Sequence, residues 1–348
     1  MTMLSDDTDL VIGVDTHRDT LTASVVHAGT GGHIASHTSP TTRAGLAELV
    51  AFADTHPGRR VWAVEGTGSY GAGLTRFLAG RDERVVETER PLRSSRRHGK
   101  SDELDAIKGA RDTLAADHLA QPRQRGERAA LAALLVTRRS AVDAAATARK
   151  QLRAAIITAP DPLRERFDTA GRRRFVTVAQ HLRHHASHDI ETATAITVMV
   201  SLARRIRALD AEARVHEKAM RCLIEAWRPD LLEEVGVGTI VAATILCAWS
   251  HPGRFRSEAA FASLAGVAPI PASSGLTTRH RLNRSGDRKL NSAIYTIVIS
   301  RLHYDPATRA YAARRKTEGK TGPETRRCLQ RYIARDIYRL LENPPTTT

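Results

Sequence analysis

Four carboxylates stand where chemistry is to be expected: Asp15, Glu65, Asp102 and Asp105. Asp15 closes the apolar run Leu10-Val11-Ile12-Gly13-Val14, and Glu65 closes the run from Arg60 to Val64; both runs read as strands. A carboxylate at the C-terminal end of a strand projects into the crevice at the edge of an open sheet. Asp102 and Asp105 lie three apart within a predicted helix, Ser101 to Ala116, and therefore share one helix face. Oxygen-only donors suit Mg2+, with Mn2+ as its substitute. Two such ions about 4 Å apart activate one oxygen and stabilise another during displacement at phosphorus. Four acids held close together repel one another strongly unless a cation stands among them. Spacing alone leaves the set open, because Asp19, Glu87, Glu89 and Glu103 are placed to fill similar roles.

The elements that must position these acids follow from local pattern. After the first strand, Thr20 to Val26 is β-rich, and a Gly-rich turn, Gly29 to Gly32, separates it from His33 to His37, which predicts an antiparallel meander. A helix from about Thr42 to Asp54, the strand ending at Glu65, a helix to about Leu78, a strand around Val85-Val86 and the helix carrying Asp102 complete an alternating pattern. Antiparallel strands followed by strands alternating with helices describe an α/β domain with a mixed sheet.

Beyond Pro122 the chain changes character. Residues 127 to 158 are rich in Ala, Leu and Arg without Gly or Pro and predict one long helix, and residues 189 to 226 predict a second. In the second, Met199, Leu202, Ile206, Leu209, Ala213, Met220 and Leu223 follow a three-and-four spacing broken at His216. That stripe reads as an extended helical hairpin or coiled coil burying its seam against itself or a second subunit, with a compact bundle as the competing reading. The basic stretch between the helices, Arg172-Arg173-Arg174 with His181, His184 and His185, reads equally as a solvated loop or a nucleic-acid contact. Further on, Val235-Gly236-Val237-Gly238-Thr239 leads into the apolar helix Ile240 to Trp249. A tight Gly-x-Gly turn opening a helix presents N–H groups to a phosphate, so Gly236 and Gly238 are candidate DNA-backbone contacts, an ordinary turn being the alternative. A short helix, Ser257 to Leu264, precedes a turn-rich segment, and basic helices run from Arg288 to His303 and from Pro323 to Leu341.

Composition points to the partner. The 348 residues carry 53 Lys and Arg against 38 Asp and Glu, a formal charge of +15 weighted toward Arg, and guanidinium forks match phosphate oxygens. A polyanion, nucleic acid above all, is the expected partner. Aromatic residues make up 4% of the chain, so no aromatic-rich RNA-binding signature is present and composition does not separate RNA from DNA. Cys222, Cys247 and Cys328 are too scattered for a zinc site or disulfide framework. No apolar run has the length of a membrane span, and the polar, acidic Met1 to Asp9 is unlike a signal peptide, so the expected setting is cytoplasmic and nucleoid-associated, without a membrane partner.

The stretches Gly13-Val14-Asp15-Thr16-His17, Val64-Glu65-Gly66-Thr67-Gly68-Ser69-Tyr70 and Lys100-Ser101-Asp102-Glu103-Leu104-Asp105-Ala106 resemble, in order and separation, the three motifs of the DEDD insertion-sequence transposases of the IS-one-ten type. The resemblance implies a RuvC-like, RNase H-fold domain whose metal-binding tetrad falls on Asp15, Glu65, Asp102 and Asp105. Ala265-Gly266-Val267-Ala268-Pro269 with Ser273-Ser274-Gly275, and Arg281-Leu282-Asn283-Arg284-Ser285-Gly286-Asp287-Arg288-Lys289-Leu290, resemble the family's second domain. There the resemblance makes Ser274 the nucleophile, with Ser273 one place away; read without it, Ser-Ser-Gly in a Pro-rich stretch is a turn. No His or Lys adjoins Ser274, although His280 lies six residues downstream; the resemblance implies activation by the metal-loaded carboxylates of the first domain, within one chain or across a subunit boundary. Arg279, Arg281, Arg284 and Arg288 are expected to hold the scissile phosphate, and Arg96, Arg97 and Lys100 to flank the acidic site unless they form only a solvated face.

The expected class is thus α/β plus all-α: an RNase H-like (RuvC-like) domain over residues 8–122, a long helical region over 123–230 and a C-terminal helical transposase domain over 231–342. The resemblance further implies strand cleavage and rejoining that moves an insertion sequence without a nucleotide cofactor, guidance by a noncoding bridge RNA, and a homodimer or tetramer. The competing readings are a RuvC-like nuclease using water as nucleophile and a nucleic-acid-binding protein that has lost catalysis. An actin-like ATPase is disfavoured because no phosphate-cradling Gly-Lys-Ser/Thr loop is present.

Overall fold

The computed structural model describes residues 4–88, 101–116, 118–168, 174–271, 280–281, 283 and 286–343. They form two compact units, Met1–Gln124 with Ser250–Phe255, and Arg125–Trp249 with Arg256–Thr348.

The first unit is α/β. A short helix, α1 (Leu4–Asp7), precedes β1 (Leu10–Thr16), β2 (Thr20–His27), β3 (His33–Pro40), α2 (Arg43–Asp54), β4 (Arg60–Glu65), α3 (Ala72–Ala79), β5 (Val85–Thr88) and α4 (Asp102–Leu114). The sheet order is β3-β2-β1-β4-β5. β1 to β3 form the expected antiparallel meander, and β4 and β5 join parallel, giving the mixed sheet of an RNase H-like domain. The central strands are apolar on both sides because both faces are covered. Leu10, Ile12, Val14, Trp62 and Val64 pack with Leu46 and Leu49 of α2 and Leu74 and Leu78 of α3. Val11, Val61, Ala63 and Val86 pack with Ile107 and Ala110 of α4. The edge strand β3 is mostly polar and half of its residues are exposed, and hydroxyl pairs tie it to β2, Thr22 with Thr38 and Ser24 with Ser36.

Gly13 sets how closely α4 lies on this sheet. A Cβ there would stand 2.0 Å from the Ala106 carbonyl oxygen and 2.8 Å from the Ala110 nitrogen, so only a residue without a side chain fits. Ala106 and Ala110 are the small residues that meet it, and Gly109 faces Thr88 of β5.

The second unit is helical. Its elements are α5 (Glu127–Ile157), α6 (Asp161–Asp168), α7 (Phe175–Gln180), α8 (Ile190–Trp227), α9 (Asp230–Glu233), α10 (Thr239–Trp249), α11 (Glu258–Leu264), the two-residue strands β6 (Ile270–Pro271) and β7 (His280–Arg281), α12 (Arg288–Tyr304), α13 (Pro306–Thr317) and α14 (Gly322–Glu342). The two long predicted helices exist as α5 and α8. They run antiparallel, as the ion pairs Arg138–Glu217 at 3.0 Å and Arg149–Asp210 at 2.5 Å show. Met199, Ile206, Ala213 and Met220 are buried as the stripe predicts, but the second row is Ile196, Ala203 and Ile224. Leu202, Leu209 and Leu223 are only half-buried. Asp210 and Glu217 continue the second row at seven-residue spacing because α5 offers Arg149 and Arg138 opposite them. α6 and α7, which hydrophobic periodicity did not single out, close one end of the pair with Leu163, Phe167 and Ala179.

The rest of the unit gathers around α10, whose Ala242, Ala243, Ile245, Leu246 and Trp249 are buried. Trp249 donates its indole N–H to Glu342 at 2.7 Å, and buried Arg228 is matched by Asp230 and the carbonyls of Leu340 and Leu341. Among the described residues no helix is long and apolar enough to cross a membrane.

Candidate metal centre

The carboxylate end of the first unit's sheet follows from two periodicities. Along β1, Val11, Gly13 and Asp15 alternate onto the face covered by α4, and along β4, Val61, Ala63 and Glu65 do the same. The strands are parallel and in register up to Val14 opposite Val64, so Asp15 and Glu65 are the next residues of neighbouring strands. The Thr16 hydroxyl ties the two strand ends by donating to the Glu65 carbonyl at 3.2 Å. On α4, Asp102 and Asp105 open the stripe that continues through Ala106 and Ala110 down the sheet-facing side. Ser101 caps that helix by accepting from the Leu104 N–H at 3.2 Å, which fixes where its first turn begins.

Close packing of α4 at Gly13 therefore brings acids distant in sequence into one neighbourhood. Asp15 is 7% exposed, and Asp102, Asp105 and Glu65 are half-buried. Burial raises the Asp15 carboxyl above the usual carboxylate range, and the negative charges of Asp102 and Asp105 push it the same way. His17 opposes them. Its Nε2 lies 3.2 Å from Asp15 Oδ2 and 3.2 Å from Asp102 Oδ1, and donor atoms of these three residues all lie within 4.8 Å of one another.

The rival acids separate by their partners. Asp19 is exposed and paired with Arg18, and exposed Glu103 faces His33 at 3.8 Å. Glu87 pairs with Arg254 at 3.5 Å and Arg123 at 3.7 Å. Glu89 lies outside the described residues. Sequence reasoning did not single out His17. The signal was present in its spacing, since His17 stands two places after Asp15, directly after β1 ends.

The C-terminal candidates are placed only in part. Ser273, Ser274, Arg279 and Arg284 lie outside the described residues, as do Arg96, Arg97 and Lys100, and Arg281 is described by its backbone alone, in β7. The segments flanking Ser274 do meet: β6 pairs with β7, Asp287 N–H donates to the Leu264 carbonyl at 2.7 Å, and Asn291 Nδ2 donates to the Ala265 carbonyl at 2.8 Å. Arg288 is exposed on the first turn of α12, which Asp287 caps. Gly236 has a packing reason of its own. Its φ is +89°, and a Cβ would stand 2.9 Å from Ser300 Cβ and 3.2 Å from the Ile297 backbone, so α12 lies against it. Gly238, just before α10, faces open space.

Comparison with known proteins gives two family matches. Residues 12–158 match a DEDD transposase family of the IS110 type, and residues 230–313 match the transposase IS116/IS110/IS902 family. The first stretch contains Asp15, Glu65, Asp102 and Asp105; the second contains Ser274. The chain is 31% identical over 155 residues to an insertion element IS110 uncharacterized 43.6 kDa protein of Streptomyces coelicolor, covering 44% of this chain and 38% of that protein. It is 31% identical over 166 residues to an insertion element IS900 uncharacterized 42 kDa protein of Mycobacterium paratuberculosis, covering 44% of this chain and 41% of that protein. Each match thus takes in well under half of the relative's own length.

Proposed function

Because the chain belongs to the IS110-type family of DEDD insertion-sequence transposases, we propose that it cleaves and rejoins DNA strands to move an insertion sequence, with Asp15, Glu65, Asp102 and Asp105 as its metal-holding acids and Ser274 as its nucleophile. The observation that carries the reading is the convergence of Asp15 with Asp102 and Asp105 on the buried, α4-covered end of the sheet. Acids crowded until burial and mutual repulsion hold one of them above its ordinary pKa are a donor set that a divalent cation relieves, and carboxylate oxygens suit Mg2+ or Mn2+. When bound, such an ion neutralises charge on the phosphate oxygens and lowers the pKa of an attacking hydroxyl.

The chain's own residues divide the remaining work. The Ser274 hydroxyl loses its proton and attacks the scissile phosphorus; one deoxyribose oxygen leaves and takes up a proton, so serine and DNA become joined by a phosphodiester. Rejoining reverses the exchange with a different strand end. Arg279, Arg281, Arg284 and Arg288 hold the phosphate and its neighbours, since guanidinium donors stabilise the charge that builds on its oxygens. Arg96, Arg97 and Lys100 extend this grip beside the acids, and the turn at Gly236 and Gly238 contacts backbone through main-chain N–H groups. Residues 8–122, 123–230 and 231–342 act as catalytic, spacing and DNA-binding regions. A noncoding bridge RNA selects donor and target by base pairing, which suits a basic chain that grips backbone rather than sequence. Ser274 meets the acids within a homodimer or tetramer, and the complex works on the nucleoid.

The test is a covalent adduct. Incubated with Mg2+, a plasmid bearing the element's ends and the RNA that co-purifies, the protein shifts a labelled strand to protein size on a denaturing gel. Ser274→Ala and Asp15→Asn both abolish the shift. Loss in Ser273→Ala alone moves the nucleophile one place, and strand breakage with no adduct replaces the reading by hydrolysis.

A further inference from the structure

His17 occupies an unusual position beside the proposed metal site. Its ring is 43% exposed on one side, yet Nε2 is shielded from solvent and lies 3.2 Å from an oxygen of Asp15 and 3.2 Å from an oxygen of Asp102. It meets both oxygens as close contacts and forms no well-aligned hydrogen bond with either. An unprotonated Nε2 turns its lone pair toward two anions. In that form a polar atom is withdrawn from water without compensation, which is costly. A cation between the three groups satisfies them at once. Two ligands at right angles on an ion with bonds of about 2.1–2.2 Å sit about 3 Å apart, close to the separations seen here.

We infer that His17 is a nitrogen ligand of the divalent ion held by Asp15 and Asp102, and that it turns the site's preference from Mg2+ toward Mn2+. The inference rests on the metal reading above and adds the nature of the donor set. Mg2+ favours oxygen ligands and keeps its waters, whereas Mn2+ stands higher than Mg2+ in its acceptance of imidazole. Asp15 is the last but one residue of β1 and His17 follows directly after that strand ends at Thr16, while Asp102 closes the set from the first turn of α4.

The experiment uses the full chain, stripped of metal by a chelator and loaded with Mn2+ as the probe. Pulsed electron paramagnetic resonance is expected to show coupling to an imidazole nitrogen in the wild type and none in His17→Ala. Titration is expected to show the Mn2+ Kd rising about tenfold in His17→Ala while the Mg2+ Kd rises by about twofold or less. His17→Gln is read in the same way, so the result does not depend on one variant folding. Absence of nitrogen coupling in a wild type that binds Mn2+ through Asp15, or coupling that survives in both variants, overturns the inference and leaves the metal site standing. Mn2+ binding that Asp15→Asn does not weaken overturns the metal site and the inference together.

Discussion

The carboxylate end of the first unit and the paired helices of the second are built to opposite specifications. At the sheet end, a nearly buried carboxyl is crowded by two further acids, and its pKa is raised by that burial and repulsion. Along α5 and α8, alanines and aliphatic side chains fill the interior, and each acid near it, Asp210 and Glu217, is matched by an arginine on the facing helix. One region holds unfavourable charge that a ligand can relieve; the other carries its stability within itself. Substitutions should therefore move function and stability in opposite directions in one region and change stability alone in the other.

The sharpest break in that comparison is Asp15→Asn. Strand cleavage should fall by about a thousandfold or more, the equivalent of several kcal/mol of charge stabilisation. The metal-free variant should nevertheless melt above the metal-free wild type, as a thermal scan will show. The pH dependence has a definite sign. Because the folded pKa of Asp15 is raised, the folded state binds more protons than the unfolded one between the ordinary and the raised value, so wild-type stability falls as pH rises through that window. The advantage of the variant should appear across the same window and shrink when Mg2+ is added to the wild type. A variant that melts lower at every pH would show that the acids are not in conflict.

Ile206→Ala should do the reverse, removing about 3 kcal/mol of stability in urea unfolding while leaving the metal-induced rise in melting temperature intact. Ile206 is fully buried in the α5–α8 core, far in sequence from every proposed ligand. The smallest effect belongs to Arg138 and Glu217. These side chains are 24% and 44% exposed, and a double-mutant cycle should give a coupling of about 0.5 kcal/mol, shrinking in high salt. A coupling several times larger would mean that the pair fixes the register of the two helices as well as decorating it.

Much of this was legible in the residues. The strand carrying Asp15 near its end, the meander and the two long helices follow from periodicity alone, as do Met199, Ile206, Ala213 and Met220 on the buried side of α8. Hydrophobicity misplaced the companion row, because Leu202, Leu209 and Leu223 are the more apolar residues, whereas Asp210 and Glu217 are drawn inward by arginines nearly one helix-pair away in sequence. The same limit governed the acids: Asp19, Glu87 and Glu103 are set apart by burial and by their partners, and those of Glu87 and Glu103 come from distant segments. Gly236 suggested a phosphate-binding turn on local grounds, while its close neighbour, α12, begins some fifty residues later.

Gly13 acts as the gauge block of the site. A methyl group there would start 2.0 Å from the Ala106 carbonyl, where real contacts are essentially never under 3.0 Å, so α4 would have to retreat by roughly 1 Å. Metal–ligand bonds tolerate about 0.2 Å. The smallest possible enlargement of this residue would thus move Asp102 and Asp105 beyond the reach of the proposed ion, although it alters no charged group.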